Sequence, residues 1–445
     1  MSHALHAAET IRKQTVHTVP PVPRRKVYAI MEINAGATAW VLISAGLVLF
    51  MTPGLALFYG GMVRSKNVLG MLMQNIFAMG LVSVLWVFVG FSLAFGGDGG
   101  WIGNFDFAFL NDVVGDVTKA ADLPGYGGAL VVPAMVFMAF QMMFAIITPA
   151  LITGATADRL KFGSYALFIG IWSVLVYAVV ARWVFSPNGW LFKRGALDFA
   201  GGAAIHVNAG IAALAIAMVI GPRRGWMKEP MPPHNLPFTV LGTGILWFGW
   251  FGFNAGSALG ADGISSQALV NTHLAAAAAM LSWLLVERLV AGHATTLGAC
   301  SGAVAGLVAI TPCAGFVGGM APVIIGALAG IICYLSLKLK HLLRVDDSLD
   351  VLAVHLIGGL FGSIALGFFA DKSATGIGAD GVFFGGGADL LIDQLVAVGA
   401  VMLFSFVASY IIAFAIQKTI GLRVDEEAEL VGLDQSQHAE SAYQA

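Results

Sequence analysis

Two histidines stand where they could do chemistry: His206 in "LDFAGGAAIHVNAG" (197–210) and His355 in "LLRVDDSLDVLAVHLIGG" (342–359). Each follows an aspartate by eight residues, Asp198 in the first stretch and Asp347 in the second. The residues around them are otherwise suited to lipid, and an ionisable group in such a setting is costly, so by default it marks a pathway or a proton relay. A neutral imidazole offers one donor and one acceptor, so two side by side share a hydrogen bond and can hand a proton along. Either histidine alone reads as readily as an interior residue bonded to a carbonyl; their matched placement is what favours a pair. Haem ligation by two histidines is the competing chemistry, but one pair holds one haem at most and no second redox site accompanies it. No HExxH or carboxylate cluster supports a membrane metalloprotease, so neither a metal nor a cofactor is expected.

The elements that must position these residues are membrane helices. Apolar residues make up 58% of the chain and charged residues 11%, with a net charge of −2, which leaves no basic field for nucleic acid. A window of about 20 residues places spans near 38–61, 70–96, 129–151, 162–185, 198–220, 237–258, 268–290, 295–311, 315–337, 350–370 and 389–417. The expected class is an all-α integral membrane protein of eleven transmembrane helices. The segment 295–311, "TTLGACSGAVAGLVAIT", is short and rich in small residues, so it is either a tightly packed helix or a broken one. Cys300, Cys313 and Cys333 show no paired spacing and read as small packing residues.

Arginine and lysine are retained on the cytoplasmic side. The set of loops holding Arg64, Arg159, Arg223, Lys340 and Arg423 carries thirteen such residues against five in the opposite loops, and only the five Lys and Arg of the first thirty residues object. That puts the C-terminus in the cytoplasm and, with an odd number of spans, the N-terminus outside a multi-pass protein of the cell membrane. The expected organisation is a disordered extension over 1–36, a transporter domain over 37–418 and a cytoplasmic regulatory tail over 419–445. Met31 is a candidate internal start.

The Asp-to-His spacing recurs in spans five and ten, which are equivalent if the chain is two inverted five-helix repeats plus a final helix. Residues deep in the two equivalent spans then meet near the midplane. If each aspartate opens its helix, eight residues place the histidine about 12 Å below the start.

These stretches, with "PGLALFYGGMVRSKN" (53–67), "FQMMFAIITPALITGATADRLKF" (140–162), "PHNLPFTVLGTGILWFGWFGFNAGSA" (233–258), "LGACSGAVAGLVAITPCAGFV" (297–317) and "GLRVDEEAELVGL" (421–433), resemble the ammonium transporters of the Amt/Mep/Rh family, of bacterial or archaeal Amt type. The resemblance runs from about Ala37 to the C-terminus. It implies the ammonium transporter fold, a homotrimer with one pore per subunit, and passage of ammonium or ammonia. Carried over by position, His206 and His355 match the paired pore histidines, Phe144 and Phe253 the stacked aromatic gate, Ser257 the hydroxyl of the outer recruitment site, and Asp198 the aspartate beside it. Phe185 aligns with a recruitment-site position that is usually Trp in the family, and Trp183 and Trp190 flank it. The tail resembles one that couples the pores to a PII-type regulatory protein; Ala439 replaces a common Gly there.

Recruitment of a cation needs π faces and an acceptor, here Phe144, Phe185 and Ser257. Asp198 and Asp347 are expected in structural and electrostatic roles, Asp198 capping its helix beside Gly201 and Gly202. Two other functions stay open: an ammonium sensor signalling through the tail, and a neutral ammonia channel.

Overall fold

The computed structural model describes residues 32–113 and 121–443. Nearly all of the extension expected over 1–36 therefore lies outside the described residues, as does Met31. The described residues place helices at the expected spans, ten of them long and apolar enough to cross a membrane and α8 shorter: α1 (Ala35–Met62), α2 (Ser65–Phe95), α3 (Ala134–Thr156), α4 (Phe162–Arg194), α5 (Gly202–Ile220), α6 (Leu236–Ala258), α7 (Gly263–Ala291), α8 (Thr296–Ile310), α9 (Ala321–Leu342), α10 (Leu352–Phe369) and α11 (Asp389–Thr419). Several begin on a side chain that accepts a free backbone N–H: Asn34 at α1, Asn235 at α6, Asp262 at α7 and Thr295 at α8.

The packing repeats between halves. α1 lies along α6; α2 packs on α3 and α4 as α7 packs on α8 and α9; α5 crosses α10. The final helix α11 packs across α4, α5 and α10, outside the repeat. Exposed apolar residues such as Leu281, Leu285 and Leu289 on α7 and Leu403 and Ile411 on α11 face away from the bundle. In water that surface would be untenable; against acyl chains or a second copy it is ordinary.

The short segment resolves into an unbroken but short helix. α8 has 15 residues, so it rises about 22 Å, less than the hydrocarbon core. The chain then continues in turns from Thr311 to Phe316, buried but for half-buried Phe316. Irregular backbone at that depth is tolerated because protein covers it.

The basic loops converge on one face, where the tail also lies. Buried Asp158 takes ion pairs from Arg64 at 2.9 Å and Arg223 at 3.5 Å, and Arg223 reaches Asp346 at 2.9 Å. Fully buried Arg159 donates to the carbonyls of Ala155, Ala157, Gly221 and Asp346. Its guanidinium thus gathers carbonyls around the ends of α3 and α5, where partial negative charge accumulates. The tail forms two short helices, α12 (Glu426–Val431) and α13 (Leu433–His438). Lys66 donates to the carbonyls of Glu429 and Leu430, Asn67 Oδ1 accepts the Leu433 N–H at 2.8 Å, and Asp434 Oδ1 accepts the Gly70 N–H at 2.8 Å. Ala439 ends α13 at φ 55°, the left-handed position that glycine fills most easily.

Candidate functional site

α5 and α10 bring the two histidines together. Their Nδ1 atoms are 3.3 Å apart, and the rings lie within 19° of coplanarity with centroids 5.4 Å apart. A shared proton makes one Nδ1 the donor and the other the acceptor. The remaining Nε2 atoms then differ: one carries hydrogen and the other offers a lone pair. Nε2 of His206 is buried with no hydrogen-bond partner among the described residues.

The approach depends on glycines four residues after each histidine. A Cβ on Gly210 would lie 2.5 Å from the Leu356 amide nitrogen of α10, and one on Gly359 would lie 2.9 Å from His206 Cβ. Any larger residue at either place forces the two helices apart. The six residues around each histidine, Gly202–Val207 and Leu352–Ile357, also share a widened π-helical turn. Such turns inside α-helices recur at functional sites.

The aspartates lie outside their helices. Residues 199–200 form a bend, Gly201 follows at φ 118°, and α5 starts only at Gly202. His206 therefore sits about one turn below the helix start, less than the 12 Å expected if Asp198 opened the helix. Asp198 Oδ1 accepts the Gly201 and Gly202 N–H groups at 2.8 and 2.6 Å, and Oδ2 accepts those of Ala203 and Ala204 at 2.9 and 3.0 Å. One carboxylate thus satisfies four amides of the helix entrance. Asp347 is 1% exposed and caps α10 more sparsely. Its Oδ2 accepts the Leu352 N–H at 2.7 Å, while Oδ1 is buried with no partner among the described residues. Burial, reinforced by neighbouring Asp350, pushes its carboxyl up to about 7.

Two cavities meet at an aromatic pair. A vestibule of about 330 Å³, toward the face opposite the tail, is lined by residues that include Tyr126, Gln141, Phe144, Phe185, Asp198 and Ser257. A lumen of about 10 Å³ is lined by His206, His355, Trp250, Phe253 and apolar side chains that include Leu55 and Ile147. That is near the room one water-sized molecule needs. Phe144 borders the vestibule and Phe253 the lumen. They meet edge to face, with centroids 4.7 Å apart and planes at 67°, rather than in a parallel stack. Trp250 stacks on His206 at 5.4 Å.

Ser257 donates to the Phe253 carbonyl at 2.8 Å, which leaves its oxygen lone pairs as acceptors at the vestibule. Of the candidate rings, Phe185 lines the vestibule. Trp183 and Trp190 instead cluster with Trp101, centroids 5.0 to 5.7 Å apart. Sequence reasoning missed Tyr126 and Gln141. Gln141 adjoins Phe140 in a quoted block and is three residues before Phe144, so helical spacing could have found it; Tyr126 lies in a loop with no periodic signal. Among the described residues, no three of His, Cys, Asp and Glu are placed to hold a metal ion.

An eleven-span helical bundle with a vestibule and a narrow, mostly apolar lumen has the architecture of a membrane transport protein. The chain belongs to the ammonium transporter family, whose model matches residues 39–443. It is 50% identical over 438 residues to a protein of Mycobacterium tuberculosis named ammonium transporter, covering 94% of this chain and 92% of that one. The crystal structure of Saccharomyces cerevisiae Mep2 is similar with a TM-score of 0.82 at 33% identity, covering 89% of each chain. A structure titled Sensor Amt Protein is similar with a TM-score of 0.81 at 30% identity, covering 92% of this chain and 98% of that one.

Proposed function

We propose that this protein carries ammonium across the cell membrane by recruiting NH4+ in the vestibule, removing its proton and passing NH3 through the lumen. The observation that carries the reading is the lumen itself: an apolar space for one small molecule, beyond the Phe144–Phe253 pair, whose polar lining is two hydrogen-bonded imidazoles. A bare monovalent ion in such a space costs tens of kcal/mol by an idealised Born estimate. Ammonia does not carry that penalty, and potassium has no proton to give up. At the vestibule, Phe144 and Phe185 supply π faces and Ser257 an acceptor, each ring attracting a cation by about 0.5–2 kcal/mol. Asp198 acts through the helix entrance it caps and through its charge. Below the gate, the imidazole lone pair accepts a hydrogen bond from ammonia, and the histidine pair hands the proton given up in the vestibule along to the cytoplasmic side, where it rejoins ammonia, so net charge crosses and the cycle is electrogenic.

The vestibule opens outside the cell, the N-terminus lies outside, and the basic face and tail lie in the cytoplasm, as the Arg and Lys distribution favours. The functional unit is a homotrimer whose exposed apolar helices meet neighbouring copies. The folded tail over 419–445 is the docking element for a PII-type regulator. The chain is a transporter and not an enzyme. The similarity to a protein titled Sensor Amt Protein favours one second reading, in which the vestibule binds ammonium and the tail reports it with little flux.

Current on a supported membrane carrying the protein, after an ammonium jump, tests this with His206→Ala and His355→Ala alongside. The expected result is a saturable current absent under potassium, abolished or made unselective in the variants. An ammonium-dependent pH change without current means a neutral ammonia channel; neither signal in folded protein moves the assignment to the sensor.

A further inference from the structure

The vestibule contains an aromatic side chain that no helix supplies. Tyr126 lies in the loop "LPGYGGA" between α2 and α3 and lines the vestibule together with Phe144, Phe185 and Ser257. Three features hold it there. Gly125 and Gly127 adopt φ of 87° and 59°, which a β-carbon would strain. A Cβ on Gly125 would also come within 3.0 Å of Asn188, in the turn just after Phe185. The Tyr126 hydroxyl donates to the Phe185 carbonyl at 3.2 Å, one of the free carbonyls where that helical segment ends. On its other side the ring meets buried Phe137 edge to face, with centroids 5.5 Å apart. The chain thus spends positive-φ glycines and a hydrogen bond on holding one half-buried ring at the mouth of a polar-rimmed cavity, where packing alone would not require a tyrosine.

We propose that Tyr126 is a specificity-determining ring of the ammonium site, a π face for the cation that adds to Phe144 and to the smaller ring of Phe185. This rests on the vestibule being the recruitment site. A phenol ring attracts a cation less strongly than an indole but through the same quadrupole, and loss of one such face is worth about 2- to 30-fold in an equilibrium constant. The hydroxyl donates to the Phe185 backbone carbonyl and so ties the loop to the end of that helical segment, while the ring itself is the contact proposed for the cation.

The test is the half-saturating ammonium concentration of the transport current for the full chain. Tyr126→Leu is expected to raise it about 3- to 10-fold with the maximal current largely kept, and Tyr126→Phe to stay within about twofold. Because Tyr126→Leu could disturb the loop, trifluorophenylalanine at position 126 is compared with Phe. Fluorination drains the π face with little change in shape, so a several-fold rise relative to Phe supports a cation contact, and equality overturns it. A Tyr126→Phe change as damaging as Tyr126→Leu also overturns it, since the hydroxyl anchor would then be the whole role. Ser257→Ala and Phe144→Leu are measured in parallel. If they raise the half-saturating concentration while fluorination at 126 does nothing, only the Tyr126 assignment falls; if neither moves it, the recruitment-site reading falls with it.

Discussion

His206 and His355 face each other across the crossing of α5 and α10 with Nδ1 atoms 3.3 Å apart, and Gly359 of α10 lies against the His206 β-carbon. The hydrogen bond between the rings therefore depends on a residue that carries no functional group. A methyl at 359 would come within 2.9 Å of both His206 Cβ and the Gly202 carbonyl oxygen. Neither neighbour is the end of a flexible side chain, so the backbones must separate. Gly359→Ala is expected to cost about 1–3 kcal/mol of stability and to lower ammonium flux about tenfold or more, checked by thermal unfolding and by the current assay on the same preparation.

Asp198 accepts four amides through two oxygens, an arrangement that asparagine cannot copy. Asp198→Asn keeps one acceptor and turns an NH2 group toward two N–H donors. It is expected to destabilise by about 2–4 kcal/mol, nearly as much as Asp198→Ala, because buried amides are left without partners. Thermal unfolding of the two variants checks this; an Asn variant equal to the parent would mean that the charge and second oxygen contribute nothing to the cap.

Asp347 supplies a pH dependence. Its carboxyl is held up to about 7 by burial and by Asp350, with Lys340 opposing from its ion pair to Asp350 and Tyr59 lying nearby. The unfolded chain releases the same proton near 4. The folded state thus binds more protons between about 4 and 7, and stability falls as pH rises through that window and levels off above it. Asp347→Asn, which stays uncharged throughout, is expected to remove this part of the slope. Thermal unfolding of parent and variant from pH 5 to pH 8 decides: parallel curves would mean that Asp347 ionises normally in the fold.

Ala439 closes α13 in the left-handed conformation. A β-carbon there costs about 1 kcal/mol, so Ala439→Gly is expected to slow opening of the tail. Hydrogen exchange of residues 433–438 should fall about twofold to fivefold, with no change in exchange within the spans.

Much of this molecule was legible because a bilayer allows few solutions. Lipid satisfies no backbone polar group, so an apolar run exposed to it becomes a helix, and ten of the eleven helices follow from length and hydropathy, α8 being the short one. The histidine pair was legible because inverted repeats copy a spacing, and the eight-residue Asp-to-His interval appears in both halves. The same spacing misled about depth. Asp198 precedes its helix, since Gly201 turns the chain before α5 begins, and no propensity announces how far a capping side chain reaches back.

What the sequence by itself determined is the set of elements and the positions whose chemistry is out of place in lipid. The tertiary structure alone decided which of ten tryptophans and thirty phenylalanines face a cavity. It put Phe185 at the vestibule while Trp183 and Trp190 packed with Trp101, added Tyr126 from a glycine-turned loop, and folded the tail onto Asn67 and Gly70. The physical reason is that helix formation answers to local hydrogen bonding and to lipid, which any window of twenty residues reveals. A cavity is the space left where distant segments fail to touch, and that depends on all of them at once.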